Sequence, residues 1–326
     1  MKKVLEVKNL KTHFFTQKGV VPAVDGVDIE VGAGEVVGIV GESGCGKSVT
    51  AMSILQLLQF PGKTVDGEVL LDGEDLLLKS PEEMYKYRGN KISMIFQEPM
   101  TSLNPVYTVG KQVAEILRVH TNISKVEARK KVIQMFEKVG IPEPIKRYDA
   151  YPHQLSGGLR QRVMIAMAII CDPVLMIADE PTTALDVTIE AQILYLMKQL
   201  QKDSGTSIVM ITHNLGVVAE VCDRVYVMYA GKVMETTDVF TLFENPLHPY
   251  TSGLLNSIPK LTRVDEDLYT IRGIVPNLLN LPEGCRFCPR CDRAMKICTV
   301  MEPPLYDVGD GHQVRCFLYD KELMNG

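Results

Sequence analysis

The chain has 326 residues, 46% of them hydrophobic, with 35 basic and 40 acidic side chains and a formal net charge of −5 at pH 7. That size can bury a large core, and the charge balance argues against a basic nucleic-acid-binding surface. No apolar run reaches the roughly 18 residues of a membrane-spanning helix, and the start of the chain lacks the apolar core of a signal peptide. The expectation is a cytosolic protein that works at a membrane only by docking onto the helices of other subunits.

In chain order, residues 4–7 and 27–31 alternate as strands do. The apolar run 35–40 reads as a buried strand entering a glycine loop, and residues 49–59 carry helical periodicity through Met52, Leu55 and Leu58. Residues 68–74 read as a strand turning at Asp72-Gly73, and Met94, Ile95 and Phe96 as another strand. From about 99 to 170 the pattern is helical, with apolar stripes at Val113, Ile116, Leu117 and at Val132, Ile133, Met135, Phe136. A loop at Pro142-Glu143-Pro144 interrupts it. Buried strands return at 174–178 and 207–211 around a helix at 187–202, and closing strands follow at 225–228 and 231–233. Strands alternating with helices imply a largely parallel sheet. After Phe243, Pro246, Pro249, Pro259, Pro276 and Pro282 punctuate a loop-rich tail that lacks apolar residues for a core of its own. The expected division is a domain over 1–243, with a helical subdomain at about 99–170, and an extension over 244–326.

Gly41-Glu42-Ser43-Gly44-Cys45-Gly46-Lys47-Ser48 fits G-x-x-x-x-G-K-[ST] at every fixed position, between a strand and a helix. Such a loop turns successive backbone N–H groups onto the β- and γ-phosphates of a nucleotide. Lys47 adds a cation, the Ser48 hydroxyl can ligate Mg²⁺, and Val49 continues the new helix. Cys45, at a helix N-terminus that lowers thiol pKa, is a candidate for modification. Asp179 ends an apolar strand and can hold Mg²⁺ through water, while the adjacent Glu180 is the candidate general base. Ser156, Gly157 and Gly158 precede a helix beginning near Leu159 and form a second anion site. Lys47 already serves the chain's own phosphates, so this second site implies a nucleotide held by a partner's loop. Phe14, or Phe15, is the candidate to stack on adenine. Each feature has a plainer reading: a glycine turn with a surface lysine, solvated acids after a strand, an aromatic in the core.

The order of these elements resembles the ATP-binding cassette (ABC) transporter ATPases. The resemblance narrows at residues 96–105, at Tyr151-Pro152-His153-Gln154 and at Asn245-Pro246-Leu247-His248-Pro249-Tyr250-Thr251, towards the ATPase subunits of bacterial dipeptide and oligopeptide importers. It implies an α/β P-loop NTPase core with a mainly parallel sheet, an N-terminal antiparallel β subdomain, a helical insertion and a loop-rich C-terminal metal-binding extension. It makes Gln97 the hinge glutamine that reaches Mg²⁺ and the attacking water. It makes His213 the contact to the γ-phosphate, and residues 181–186, ending at Asp186, the dimer-contact loop. It implies hydrolysis of ATP with Mg²⁺ between two ATPases paired head to tail, this chain and a second homologous subunit. It also implies two membrane permease subunits, coupled near residues 97–107 on the cytoplasmic face of the membrane, and an extracytoplasmic solute-binding protein. Some relatives carry nickel or other solutes instead. A soluble ABC ATPase without membrane partners usually has two cassettes or a long coiled coil, and neither is present.

Cys285, Cys288, Cys291, Cys298 and Cys316 crowd the tail. A cytosolic thiol cluster reads as metal binding before disulfides, and four thiolates suit a [4Fe–4S] cluster or tetrahedral Zn²⁺. By resemblance the cluster ligands are Cys285, Cys291, Cys298 and Cys316. Cys288 departs from the family's pattern and can stand in for Cys285 or Cys291. No cysteine of the tail lies in a nucleotide motif, so isolated ATP hydrolysis is expected to survive loss of the tail metal.

Overall fold

The computed structural model describes residues 2–97, 102–183, 185–258 and 270–324. Contacts divide the chain into two compact units: Met1–Leu5, Glu30–Val36 and Leu70–Ile211 in the first, Glu6–Ile29, Val37–Val69 and Thr212–Gly326 in the second.

The N-terminal strands β1 (Lys3–Thr16) and β2 (Gly19–Gly32) are much longer than their alternating cores suggest. In β1 the buried side chains change phase, from Leu5 and Val7 to Leu10 and Thr12, because Asn9 takes a left-handed φ of 47°. Asn tolerates that conformation, and its N–H donates to Asp28 Oδ1 at 2.8 Å. A one-residue slip ends a simple alternation, which is why the pattern fades at Val7. With β4 (Gly62–Leu71) and β5 (Glu74–Asp75), these strands form a sheet ordered β2-β1-β4-β5.

Helix α1 (Lys47–Ile54) is shorter than the expected 49–59. Gln56 turns left-handed, and the amides of Gln56 and Leu57 donate to the carbonyls of Ser53 and Met52 at 3.1 and 2.8 Å. This pair of bonds closes a helix C-terminus, and hydrophobic periodicity does not report it.

In the first unit, β6 (Ile92–Ile95), β7 (Leu175–Asp179) and β8 (Ser207–Thr212) run parallel with β7 central, pairing Ile95 with Ala178 and Asp179 with Ile211. Helices α2 (Val109–His120), α3 (Lys125–Lys138), α4 (Pro144–Tyr148) and α5 (Gly157–Ile169) pack together. A capping box between Ser124 and Glu127 starts α3. Residues 98–101, where the helical stretch was expected to begin, lie outside the described residues. Helix α6 (Val187–Ser204) follows β7 and stops at the left-handed Gly205. Among the described residues no helix is long and apolar enough to cross a membrane.

In the second unit, β3 (Val36–Val40) runs parallel to β9 (Arg224–Tyr229). Beyond β9 the pairing turns antiparallel through β10 (Lys232–Asp238), β12 (His312–Val314) and β11 (Tyr306–Gly309), so the strands are mixed in direction. The tail packs on a core shared with β9 and β10 rather than on one of its own. It adds a hairpin to β10, and its Tyr250, Phe287 and Phe317 share one core with Val227, Tyr229 and Leu242. The rings of Tyr229 and Tyr250 lie 4.7 Å apart, and Phe287 meets Tyr229 edge-on at 5.3 Å.

Beneath this core, Glu235 is fully buried on β10. Its carboxylate accepts from the amides of Leu247 and His248 at 2.7 and 2.9 Å and from His312 Nε2 at 2.8 Å. Burial pushes its pKa up, but the bonds from His312 and the two amides outweigh that and hold it below the ordinary value. This carboxylate explains the motifs at residues 245–251 and 312–316, since it joins both segments to one strand.

Two outcomes follow. Glu235→Ala leaves two buried amides and a buried imidazole N–H without an acceptor, and should cost about 3 kcal/mol in urea unfolding. Burial depresses the pKa of His248 from 6.5 to about 4. The neutral ring thus supports the fold above pH 6.5, and that support is lost as pH falls from 6.5 towards 4. The difference in melting temperature between wild type and His248→Asn should shrink steadily across that window.

Candidate functional site

The phosphate loop lies between β3 and α1, in the second unit. Gly41, Gly44 and Gly46 all have positive φ, and two of them have no room for a side chain. A Cβ on Gly41 would stand 2.2 Å from Met228 O, and one on Gly46 2.4 Å from Ala23 O. Helix α1 starts at Lys47 with neither a capping side chain nor an acidic residue in its first turn. Its leading N–H groups, including those of Ser48 and Val49, thus present positive potential to an anion. Lys47 is buried, and its Nζ donates to the carbonyls of Gly41 and Glu42 at 2.7 and 3.1 Å. Ser43 and Gly44 are exposed at the tip, and Ser48 is half-buried.

Cys45 departs from expectation. It is fully buried, and burial raises its thiol pKa despite the neighbouring Lys47. The helix N-terminus therefore does not make it a reactive thiolate.

Glu42 is engaged on both of its sides. Its N–H donates to the Tyr250 hydroxyl at 2.9 Å, and its carboxylate receives both guanidinium nitrogens of Arg290 at 2.6 and 3.0 Å. Through these bonds the tail touches the glycine loop directly. Arg290 stands between Cys288 and Cys291, and neither it nor Tyr250 was singled out as touching the loop. The only sequence signal is an arginine inside a cysteine cluster, because a charge buried among apolar side chains needs a partner.

Phe14 packs against Gly62, whose Cβ would lie 2.8 Å from the ring, whereas Phe15 is 49% exposed. Alternation along β1 therefore leaves Phe15, and not Phe14, with an open face. His213 is exposed just beyond β8, before Asn214 caps the next helix with a 2.9 Å bond from Gly216 N–H.

The first unit brings together two of the expected catalytic side chains. Asp179 ends β7 and is buried. Glu180 follows it with a left-handed φ of 46°, a conformation costing of order 1–2 kcal/mol in a non-glycine residue. The Glu180 N–H donates to Ile211 O at 2.8 Å, so the strained turn is tied to the adjacent strand. Its Oε2 accepts from Gln97 Nε2 and from the Thr183 hydroxyl, each at 3.0 Å. Gln97 is exposed just after β6. Parallel pairing of β6 with β7 sets the two strand ends side by side, and with them Gln97 and Glu180.

Ser156 is the N-cap of α5, its Oγ accepting weakly from Leu159 N–H at 3.4 Å, so the helix begins two residues before the expected Leu159. Gly158 presses against α6, where a Cβ would come within 2.9 Å of Ile189. Asp186 caps that helix with a 3.0 Å bond from Ile189 N–H. Ala184, in the expected dimer-contact loop, lies outside the described residues.

All five tail thiols, Cys285, Cys288, Cys291, Cys298 and Cys316, line one small, largely apolar cavity with Phe287 and Phe317. Burial pushes Cys285 up to about 12 and Cys316 to about 11. Among the described residues, no three His, Cys, Asp or Glu side chains are gathered as one metal ion would need. A tetrahedral zinc site, with Zn–S bonds of about 2.3 Å, draws its thiolates together. The expected metal-binding extension is thus met only as a convergence of thiols, without the ligand geometry of a single ion.

Comparison with known proteins agrees with this architecture. Residues 24–183 match the ABC transporter family, and residues 234–298 match the oligopeptide/dipeptide transporter, C-terminal region. The fold resembles the dimeric post-hydrolysis state of the ATP-binding cassette MJ0796 bound to ADP and Pi, with a TM-score of 0.65 and 30% identity, covering 72% of this chain and 98% of that one. The fold is therefore that of an ATP-binding cassette. The chain is 54% identical to the oligopeptide transport ATP-binding protein AppD of Bacillus subtilis (strain 168), over 99% of this chain and 98% of that protein. It is 51% identical to the dipeptide transport ATP-binding protein DppD of the same strain, over 98% and 96%. The chain belongs to the ABC transporter ATP-binding proteins that carry the oligopeptide/dipeptide transporter C-terminal region.

Gly46→Ala should test the loop geometry: the clash with Ala23 O and the positive φ force the loop to shift. Loss of nucleotide binding, in a variant that still unfolds cooperatively, is the expected result in fluorescence titration. Cys45 should resist alkylation by iodoacetamide at pH 7.5 until the chain is unfolded, as mass spectrometry of the labelled peptides would show.

Proposed function

We propose that this chain is the ATP-hydrolysing subunit of an importer of dipeptides or oligopeptides. The similarity to AppD carries the reading, because it spans both the cassette and the C-terminal region. The subunit acts peripherally on the cytoplasmic face, paired head to tail with a homologous ATPase beneath two membrane subunits. An extracytoplasmic binding protein delivers the solute.

In this reading the amides of residues 41–49 and the Lys47 ammonium hold the phosphates, and the exposed Phe15 stacks on adenine. Ser48, Gln97 and Asp179 would hold Mg²⁺, which would supply charge neutralisation at the phosphates. Glu180 takes the proton of the attacking water as general base. Its hydrogen bond to Gln97 holds the carboxylate and an amide donor in one orientation, and pre-set geometry lowers the barrier. His213 contacts the γ-phosphate. Ser156, Gly157 and Gly158 close on the partner's nucleotide, and Asp186 holds the opposing helix start in place.

For the tail we propose a [4Fe–4S] cluster on Cys285, Cys291, Cys298 and Cys316. The convergence of all five thiols on one cavity supports it.

Glu180→Gln should retain ATP binding and lose turnover by about a hundredfold or more. Lys47→Ala should lose binding. Ser156→Arg should leave binding by the isolated chain intact and abolish ATP-driven uptake of labelled peptide in vesicles holding the complete transporter. Uptake by Ser156→Arg at the wild-type rate, or no peptide uptake by the wild-type assembly, overturns the assignment. Anaerobically purified protein should be brown and should bleach in Cys298→Ser and Cys316→Ser but not in Cys288→Ser. Colourless protein with one zinc per chain overturns the cluster.

A further inference from the structure

The C-terminal region meets the phosphate loop through two arms, both within the second unit. In the first arm, Arg290 donates from both terminal nitrogens to the Glu42 carboxylate, and Tyr250 accepts from the Glu42 amide. In the second, Arg286 donates to Ala230 O at 2.5 Å and pairs with Asp25. The next residue, Gly231, donates its N–H to Cys45 O at 2.9 Å and accepts from Asp25 N–H at 2.9 Å. Both arginines are buried, at 9% and 7% exposure.

The Arg290 guanidinium has no freedom to wander. Its Nε donates to Arg272 O at 3.0 Å, one terminal nitrogen reaches the Tyr229 hydroxyl at 3.3 Å, and the group stands 5.7 Å from the Tyr229 ring. Holding a long charged side chain so completely is favoured only where its partner's position matters, because ordering it costs rotamer entropy. The partner is the one carboxylate within a loop built to bind polyanions. Left unpaired there, Glu42 would repel the phosphates. A planar two-bond fork both neutralises it and fixes the backbone that follows.

We infer that Arg290 is a positioning residue for nucleotide binding: the C-terminal region neutralises and orients Glu42, and so keeps the phosphate loop in a shape that accepts ATP. The inference rests on residues 41–48 being the phosphate loop. Because Cys288 and Cys291 flank Arg290, whatever settles the thiol cavity also bears on ATP affinity.

The experiment uses the full-length chain and a fluorescent ATP analogue with Mg²⁺. Arg290→Met keeps length and packing on Tyr229 but loses the fork. It should weaken binding about tenfold or more. Arg290→Met with Glu42→Gln removes the stranded carboxylate and should return affinity to within about threefold of wild type, a rescue that simple loosening of the tail cannot give. Wild-type affinity in Arg290→Met, or no recovery in the double variant, overturns the inference. Lys47→Ala serves as reference: if it too binds normally, the phosphate-loop reading fails rather than this one. A second measurement needs no variant. Coupling is reciprocal, so saturating ATP should slow amide exchange at Phe287, Cys288, Arg290 and Cys291 of the wild-type chain. Unchanged exchange there also overturns the inference.

Discussion

The site depends on how closely the phosphate loop lies against other main chain. Carbonyls of Ala23 and Met228 occupy the space where Gly46 and Gly41 would carry side chains. The loop's curvature is thus dictated from outside, by β2 and β9, as much as by its own glycines. Helix α1 is aimed by the same contacts, and its uncapped N-terminus gains value only because it is aimed. A glycine-rich loop without such walls would pay a large entropic cost to take up one anion-binding shape.

A comparable economy governs the side chains at the ends of β6 and β7. Glu180 is strained, and the strain is held by a backbone bond to β8 and a side-chain bond from Gln97 at the end of β6. Three parallel, largely buried strands therefore fix one carboxylate. Helix caps do double duty in the same unit. Ser156 and Asp186 each satisfy a helix N-terminus, and Gly158 lets the two helix starts approach.

The C-terminal region is integral to the second unit. Its hairpin extends β10, its aromatic rings complete a core with Tyr229, and Glu235 ties two of its segments to one buried carboxylate. This integration is what allows Arg286 and Arg290 to reach the phosphate loop at all. It also places the thiol cavity, lined by Phe287 and Phe317, in the same unit as the glycine loop.

The sequence by itself determined the glycine loop, the buried strands entering and following it, the helical stretch and the order of motifs. All of these are carried by local pattern: fixed residue types at fixed spacing, or period-two and period-3.6 hydrophobicity. Tertiary structure decided the rest. The left-handed Asn9 and Gln56 moved the strand phase and the helix end, because one residue's φ leaves no mark on periodicity. Burial reversed the reading of Cys45 and separated Phe14 from Phe15, since desolvation depends on what covers a side chain. The contact of Gln97 with Glu180 joins residues 83 apart, and that of Arg290 with Glu42 joins residues 248 apart. Pairing over such distances is set by which strands lie side by side, and no local pattern in the chain encodes that.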